Sequence, residues 1–198
     1  VFRSKSTYLC TTGLLTALIT TVPVAAGVRH SEDPDTGLQR WQWEGSAAAI
    51  TLTQRLPDQT RAFFQGRGFA AEDAEPLAAD CLFQAEIRNR SEATMSLALD
   101  RWRVTAASGQ PQPIRLEAQW QEEWAEREVP QAARIAFRWS LFPTRQTFAP
   151  GDWNMGMVTM GLSEGDRFDL LIPFTIDGSQ HQVTLEGLQC APDRTANP

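Results

Sequence analysis

The chain has 198 residues, with 18 basic and 24 acidic side chains, a formal net charge of −6, three cysteines and two histidines. That negative balance argues against nucleic acid or anionic lipid as the main partner, because both are held through cationic surface. Two histidines leave little imidazole for a metal centre or a catalytic triad.

The chain opens "VFRSKSTYLCTTGLLTALITTVPVAAGVRH". Arg3 and Lys5 form a positive start, an apolar run extends from Tyr8 to Ala26, and Pro23 with Val24-Ala25-Ala26 supplies small residues for cleavage. Residues 1–26 are therefore expected to be a secretory signal peptide, with a membrane anchor as the rival reading. Without them the basic side chains are 16 arginines, and the net charge is 16 − 24 = −8. A mature chain of about 170 residues is one domain with its own core. Cys81 and Cys190 then remain as an even pair, which in an exported protein predicts a disulfide. Closing a loop of about 110 residues contributes ~4–5 kcal/mol by chain entropy.

Residues 27–45 are polar and lack periodicity, so they read as a flexible lead-in to a β-sandwich domain over 46–192, with a disordered tail at 193–198. "AAAITLTQRL" puts Ile50 and Leu52 on one face of a first strand. "PDQTRAFFQGRGF" changes period, with Asp58 as N-cap, Phe63 and Phe64 as the apolar face and Gly66 as C-cap. A second short helix is expected from Asp73, with Pro76 in its first turn. "CLFQAEIRN" alternates Cys81, Phe83, Ala85 and Ile87 inward. Met95, Leu97 and Leu99 continue the pattern, and a phase slip at Asp100-Arg101 predicts a β-bulge before Trp102 and Val104.

"LEAQWQEEWAERE" is a charged helix whose Leu116, Trp120 and Trp124 form one stripe, with Glu122-Glu123 on the solvated face. "ARIAFRWSLFP" alternates Ala133, Ile135, Phe137, Trp139 and Leu141 against Arg134, Arg138 and Ser140, which reads as a strand. Pro150-Gly151 turns the chain into another strand over Met155-Gly156-Met157-Val158-Thr159-Met160. "RFDLLIPFTIDGSQHQVTLEGLQC" is a closing hairpin about Asp177-Gly178, with Phe168, Leu170, Ile172, Phe174 and Ile176 on one face. Short strands separated by regular turns suggest a β-sandwich.

Chemistry is sparse. Met155, Met157 and Met160, with His181, are the candidate ligands for copper, since thioethers suit Cu(I). An extended strand puts Met155 and Met157 on one face and Met160 on the other, which favours packing over coordination. Trp102 and Trp139 fall on inward faces, while Trp41, Trp43 and Trp153 border turns and are the candidate ligand or partner surface. No Gly-x-Ser-x-Gly elbow, His-Glu-x-x-His helix or phosphate-binding loop is present. His181 beside the last turn is expected to be solvated, and Gln65-Gly66-Arg67-Gly68-Phe69 is too glycine-poor to cradle phosphate.

The stretches "RAFFQGRGF", "CLFQAEIRN", "FRWSLFPTRQTFAPGDWN" and "LQCAP" together resemble a group of uncharacterised exported proteobacterial proteins, over most of the mature chain. The strand, Asn89-Arg90-Ser91 turn and strand also resemble immunoglobulin-like sandwiches. The resemblance implies an exported protein with an immunoglobulin-like sandwich and carries over no activity. With the helices read above, the expected fold is a mainly β, immunoglobulin-like sandwich with an inserted short helical hairpin and one further helix, and no cofactor is expected. The expected function is non-catalytic: a periplasmic or secreted binding or accessory protein of the envelope, acting on an envelope protein or small ligand. Nucleic acid and stable membrane insertion after cleavage are not expected. The alternatives are a periplasmic copper-binding protein using Met155 and Met157, and a small secreted enzyme with a carboxylate site.

Overall fold

A computed structural model describes residues 27–107 and 109–193. The expected signal peptide, residues 1–26, and residues 194–198 of the expected tail lie outside the described residues. In chain order the elements are β1 (Val28–Glu32), β2 (Gln39–Glu44), β3 (Ala48–Gln54), α1 (Pro57–Gln65), α2 (Ala71–Ala79), β4 (Asp80–Asn89) and β5 (Met95–Ala98). A 3-10 turn (Leu99–Arg101) leads to β6 (Arg103–Ala106), β7 (Pro111–Pro113), α3 (Glu117–Glu126), α4 (Gln131–Ser140), β8 (Arg145–Phe148), β9 (Trp153–Ser163), β10 (Arg167–Ile176) and β11 (Ser179–Gln189).

The strands form two antiparallel sheets. The first runs β1-β2-β3-β4-β9; in the second, β10 pairs with β11 on one side and with β6 and β5 in succession on the other, flanked by β7 and β8. Alternation decides what each sheet buries. Ile50, Leu52, Phe83, Ala85, Ile87, Val158 and Met160 from the first sheet share one core with Met95, Leu97, Phe168, Leu170, Ile172 and Leu185 from the second. Cys81, at the start of β4, is bonded to Cys190, which follows β11, with Cα atoms 5.1 Å apart. The staple thus joins the two sheets, and such a bond persists in an oxidising compartment. Among the described residues no helix is long and apolar enough to cross a membrane.

A second core lies on the other side of β4 and β9. Leu82 and Met157 point away from the inter-sheet core and meet Phe64, Phe69, Leu77, Trp120, Trp124 and Phe137 from the helices. Trp120 and Trp124, one turn apart on α3, stack with centroids 5.0 Å apart, and Phe137 packs edge-on against both. The molecule is therefore layered: helices, first sheet, second sheet.

Several sequence expectations need correction. Residues 27–45 are not a loose lead-in, because β2 pairs with β3 and carries β1 on its free edge. The segment "ARIAFRWS" is helical, not extended: Ala133 and Phe137, four apart, are buried, while Ile135 and Trp139, also four apart, face out. Period two and period 3.6 agree on alternate residues over so short a run. The tie is broken by Trp120 and Trp124, whose rings need a second helix to cover them, and by Arg138 and Arg134 bonding Glu117 and Gln121 of α3. In place of a bulge, the phase slip at Asp100-Arg101 is the 3-10 turn between β5 and β6. That gap faces Ile172-Pro173, which have no ladder partner on that side. Pro173, lacking an N–H, suits a broken ladder within a central strand.

Helix boundaries also move. Leu56 precedes α1 and Pro57 opens it, so Asp58 lies inside the first turn. Helix α2 begins at Ala71, which puts Pro76 in its interior. Arg127 donates to the Glu72 carbonyl at 3.4 Å, the group that the missing Pro76 N–H leaves free. The closing hairpin, its Asp177-Gly178 turn with both φ positive, and the inward set Phe168 to Ile176 stand as expected.

Candidate functional site

The site grows out of the way α4 ends. Ser140 is its last residue, and the chain then crosses β9: Leu141 bridges Met157, and the Phe142 N–H donates to the Met157 carbonyl at 2.8 Å. Such a crossing requires no side chain at position 156. A Cβ on Gly156 would stand 2.4 Å from the Phe142 nitrogen and 2.5 Å from its Cα. The Met-Gly-Met sequence is thus explained by a backbone crossing, with glycine as its working residue.

The crossing leaves a groove of about 500 Å³ between the end of α4 and the start of β9. Trp139, Leu141 and Met155 give it apolar walls, and Glu117, Arg138 and Asn154 give it a polar rim. Arg138 and Glu117 are paired at 2.7 Å. Asn154 donates to Gln146 at 3.2 Å. Trp139 is 84% exposed and Met155 49% exposed, a large apolar outlay at one place on the surface. Ile135, one helical turn before Trp139, is exposed as well. Trp153, two residues before Met155 and so on the same strand face, is 49% exposed with Arg88 over its ring.

The sequence candidates scatter. Met155 and Met157 share the helix-side face of β9 and Met160 faces the inter-sheet core, as the alternation predicts. Their surroundings differ: Met157 is packed in the aromatic cluster and Met155 borders the groove. Three thioethers do not converge, and His181 lies on the second sheet, stacked on Phe174 with centroids 5.4 Å apart. Among the described residues no three His, Cys, Asp or Glu side chains gather as metal ligands.

Of the three turn-bordering tryptophans, Trp153 is at the surface. Trp41 is 2% exposed in the inter-sheet core, stacked on His30, and Trp43 is half-buried against Phe174. Both lie on β2, a strand inside the stretch expected to be a flexible lead-in, and its pairing with β3 turns them toward the inter-sheet core. Trp102, Trp120 and Trp124 are buried as expected, whereas Trp139 stands out in solvent rather than in the core. The signal for Trp139 was available: read with helical spacing, Ile135 and Trp139 fall on the face opposite Ala133 and Phe137.

A polar network underlies the helix layer. The Arg115 guanidinium lies 3.4 Å over the Trp120 ring, is paired with Glu123, and approaches Asp80 at 3.9 Å. Glu123 is therefore half-buried and paired, not on a solvated face. The Trp120 indole N–H donates to Thr159 Oγ1, which in turn donates to the Arg115 carbonyl. Burial pushes the Asp80 carboxyl up to about 7, against the opposing pull of the Gly161 N–H and Arg115. Asp80 does not line the α4–β9 groove, where Glu117 is the carboxylate in the lining. The chain matches no protein-family model and no curated protein.

Proposed function

We propose that this is a non-catalytic binding protein of the bacterial envelope, exported to the periplasm or secreted, on an immunoglobulin-like sandwich. Its α4–β9 groove receives an apolar side chain of a partner protein. The observation that carries this reading is Trp139: an indole 84% exposed at the mouth of a groove that Met155 and Leu141 also line. Tryptophan, methionine and arginine are the residues enriched where proteins meet, and buried tryptophans dominate binding energy there. Methionine adapts its shape to a partner at little cost. The two-sheet core and the Cys81–Cys190 bond support an exported sandwich.

The test is capture from periplasmic extract by the immobilised protein, followed by measurement of affinity for the captured partner. Trp139→Ala is expected to weaken binding by ~30-fold or more, as a central tryptophan does, with an unchanged melting temperature. Equal affinity of wild type, Trp139→Ala and Trp153→Ala would refute the groove as the binding face.

A further inference from the structure

The outer face of the second sheet carries a feature that net charge conceals. Two shallow cavities, of about 360 and 390 Å³, open on it and share Arg101 and Pro173. Arg101, Arg103 and Arg145 line them, together with His181, and no carboxylate does. The nearby Asp100 is paired with Arg145, so these four side chains leave a local charge of 3 − 1 = +2 on an otherwise acidic protein.

The fold builds this basic surface. The 3-10 turn that faces Pro173 keeps Trp102 buried and brings Arg101 and Arg103 to either side of it. Arg103 Nη1 is fixed by the carbonyls of Asp100 and Trp102, at 2.9 and 2.7 Å. Arg101 is exposed and makes no ion pair among the described residues, so its planar fork is open to a carboxylate or other oxyanion. Around the arginines stand neutral groups that donate and accept: Gln146, Gln180, Gln182, Ser96 and Thr147.

We propose that this face binds an acidic carbohydrate chain, with its acid groups on Arg101 and Arg103 and its hydroxyls on the surrounding amides and hydroxyls. Two other polyanions fit less well. Single-stranded nucleic acid is held by open aromatic faces for its bases, and of the two rings lining these cavities Phe174 is buried in the core and His181 is stacked against it. A membrane surface needs projecting apolar side chains beside the charge, and this face offers Leu171 and Pro173, both partly covered.

The experiment titrates the protein with polygalacturonate at low salt by calorimetry, with neutral dextran, phosphatidylglycerol vesicles and single-stranded DNA as comparison probes. Binding to polygalacturonate alone is expected, weakening as salt rises. Arg101→Glu should reduce affinity ~10-fold or more, and Arg101→Gln should reduce it less. Arg167→Glu, which reverses an exposed charge outside the cavities, should change it less than ~2-fold. Trp139→Ala should leave it intact, which separates this site from the groove. Absence of polygalacturonate binding, equal loss in Arg101→Glu and Arg167→Glu, or stronger binding to vesicles or DNA would each overturn the assignment.

Discussion

Replacing Met157 by alanine tests the layered architecture at the point where sequence invited a metal. Met157 is 4% exposed and belongs to the cluster that contains Leu82, Trp120 and Phe137. The substitution deletes Cγ, Sδ and Cε from a site walled by β4, α3 and the Leu141 crossing, which cannot collapse freely. The expected loss is ~2–5 kcal/mol, or roughly 5–15 °C of melting temperature for a domain of this size. Met155→Ala should cost under ~1 kcal/mol, since that side chain is half in solvent. Met160→Ala should again cost ~2–5 kcal/mol, but from the opposite side of the strand. The two buried losses should therefore add to within ~0.5 kcal/mol in the double variant. Urea and thermal unfolding followed by far-ultraviolet circular dichroism measure the wild type and the four variants. Competition for Cu(I) against a chromogenic chelator is run on the same samples. An unmoved melting temperature in Met157→Ala, joined to loss of tight copper binding, would refute the packing argument and restore the metal reading.

Three further outcomes follow from the geometry. Removing the bridge with Cys81→Ser and Cys190→Ser together should lower stability by ~4–5 kcal/mol, and peptide mapping of unreduced protein should recover one linked pair. Gly156→Ala should cost ~1–3 kcal/mol or more, because its Cβ would fall on the Phe142 backbone; a neutral melting temperature would show that the crossing is not fixed. Asp80, with its folded value of about 7 above the ordinary 3.8, holds its proton in the folded state where the unfolded chain has lost it. Stability from this group should thus be full below about pH 4 and fall as pH rises toward 7, with a slope of at most ~1.4 kcal/mol per unit. Asp80→Asn should remove that slope, and parallel wild-type and variant curves from pH 4 to 8 would contradict it.

How far sequence reached depended on whether a neighbour was needed to decide. Strands β4 and β10 bury alternate apolar residues against a core built from both sheets, so their inward sets could be read residue by residue. The hairpin turn at Asp177-Gly178 is local chemistry, and it too was legible. The segment Ala133–Leu141 was not, because alternation and helical spacing both suit ARIAFRWS, and only the uncovered face of Trp120 and Trp124 chooses between them. Strand β2 is not legible for a related reason. Its Gln39, Arg40, Gln42 and Glu44 look like linker, and the inward pair Trp41 and Trp43 makes sense only once β3 lies beside it.

The same dependence explains why neither proposed binding face is legible in the sequence. A strand over Ala133–Leu141 would put Trp139 in the core, whereas the helix moves the indole into solvent while keeping Phe137 inside. Arg101 and Arg103 were legible as outward residues on either side of an inward Trp102, but Arg145 joins them only because β8 pairs with β5. Net charge, an average over the whole chain, pointed away from anionic partners. Pairing of distant strands, not composition, concentrates the arginines on one face. Consecutive residues line the two surfaces, Thr144 the groove and Arg145 the basic face, and the Thr144 carbonyl accepts from the Leu99 N–H at 2.8 Å. One short segment thus anchors to the strand that carries the 3-10 turn while bordering both surfaces. Substitutions there should disturb both proposed binding activities together, whereas Trp139→Ala and Arg101→Glu should separate them.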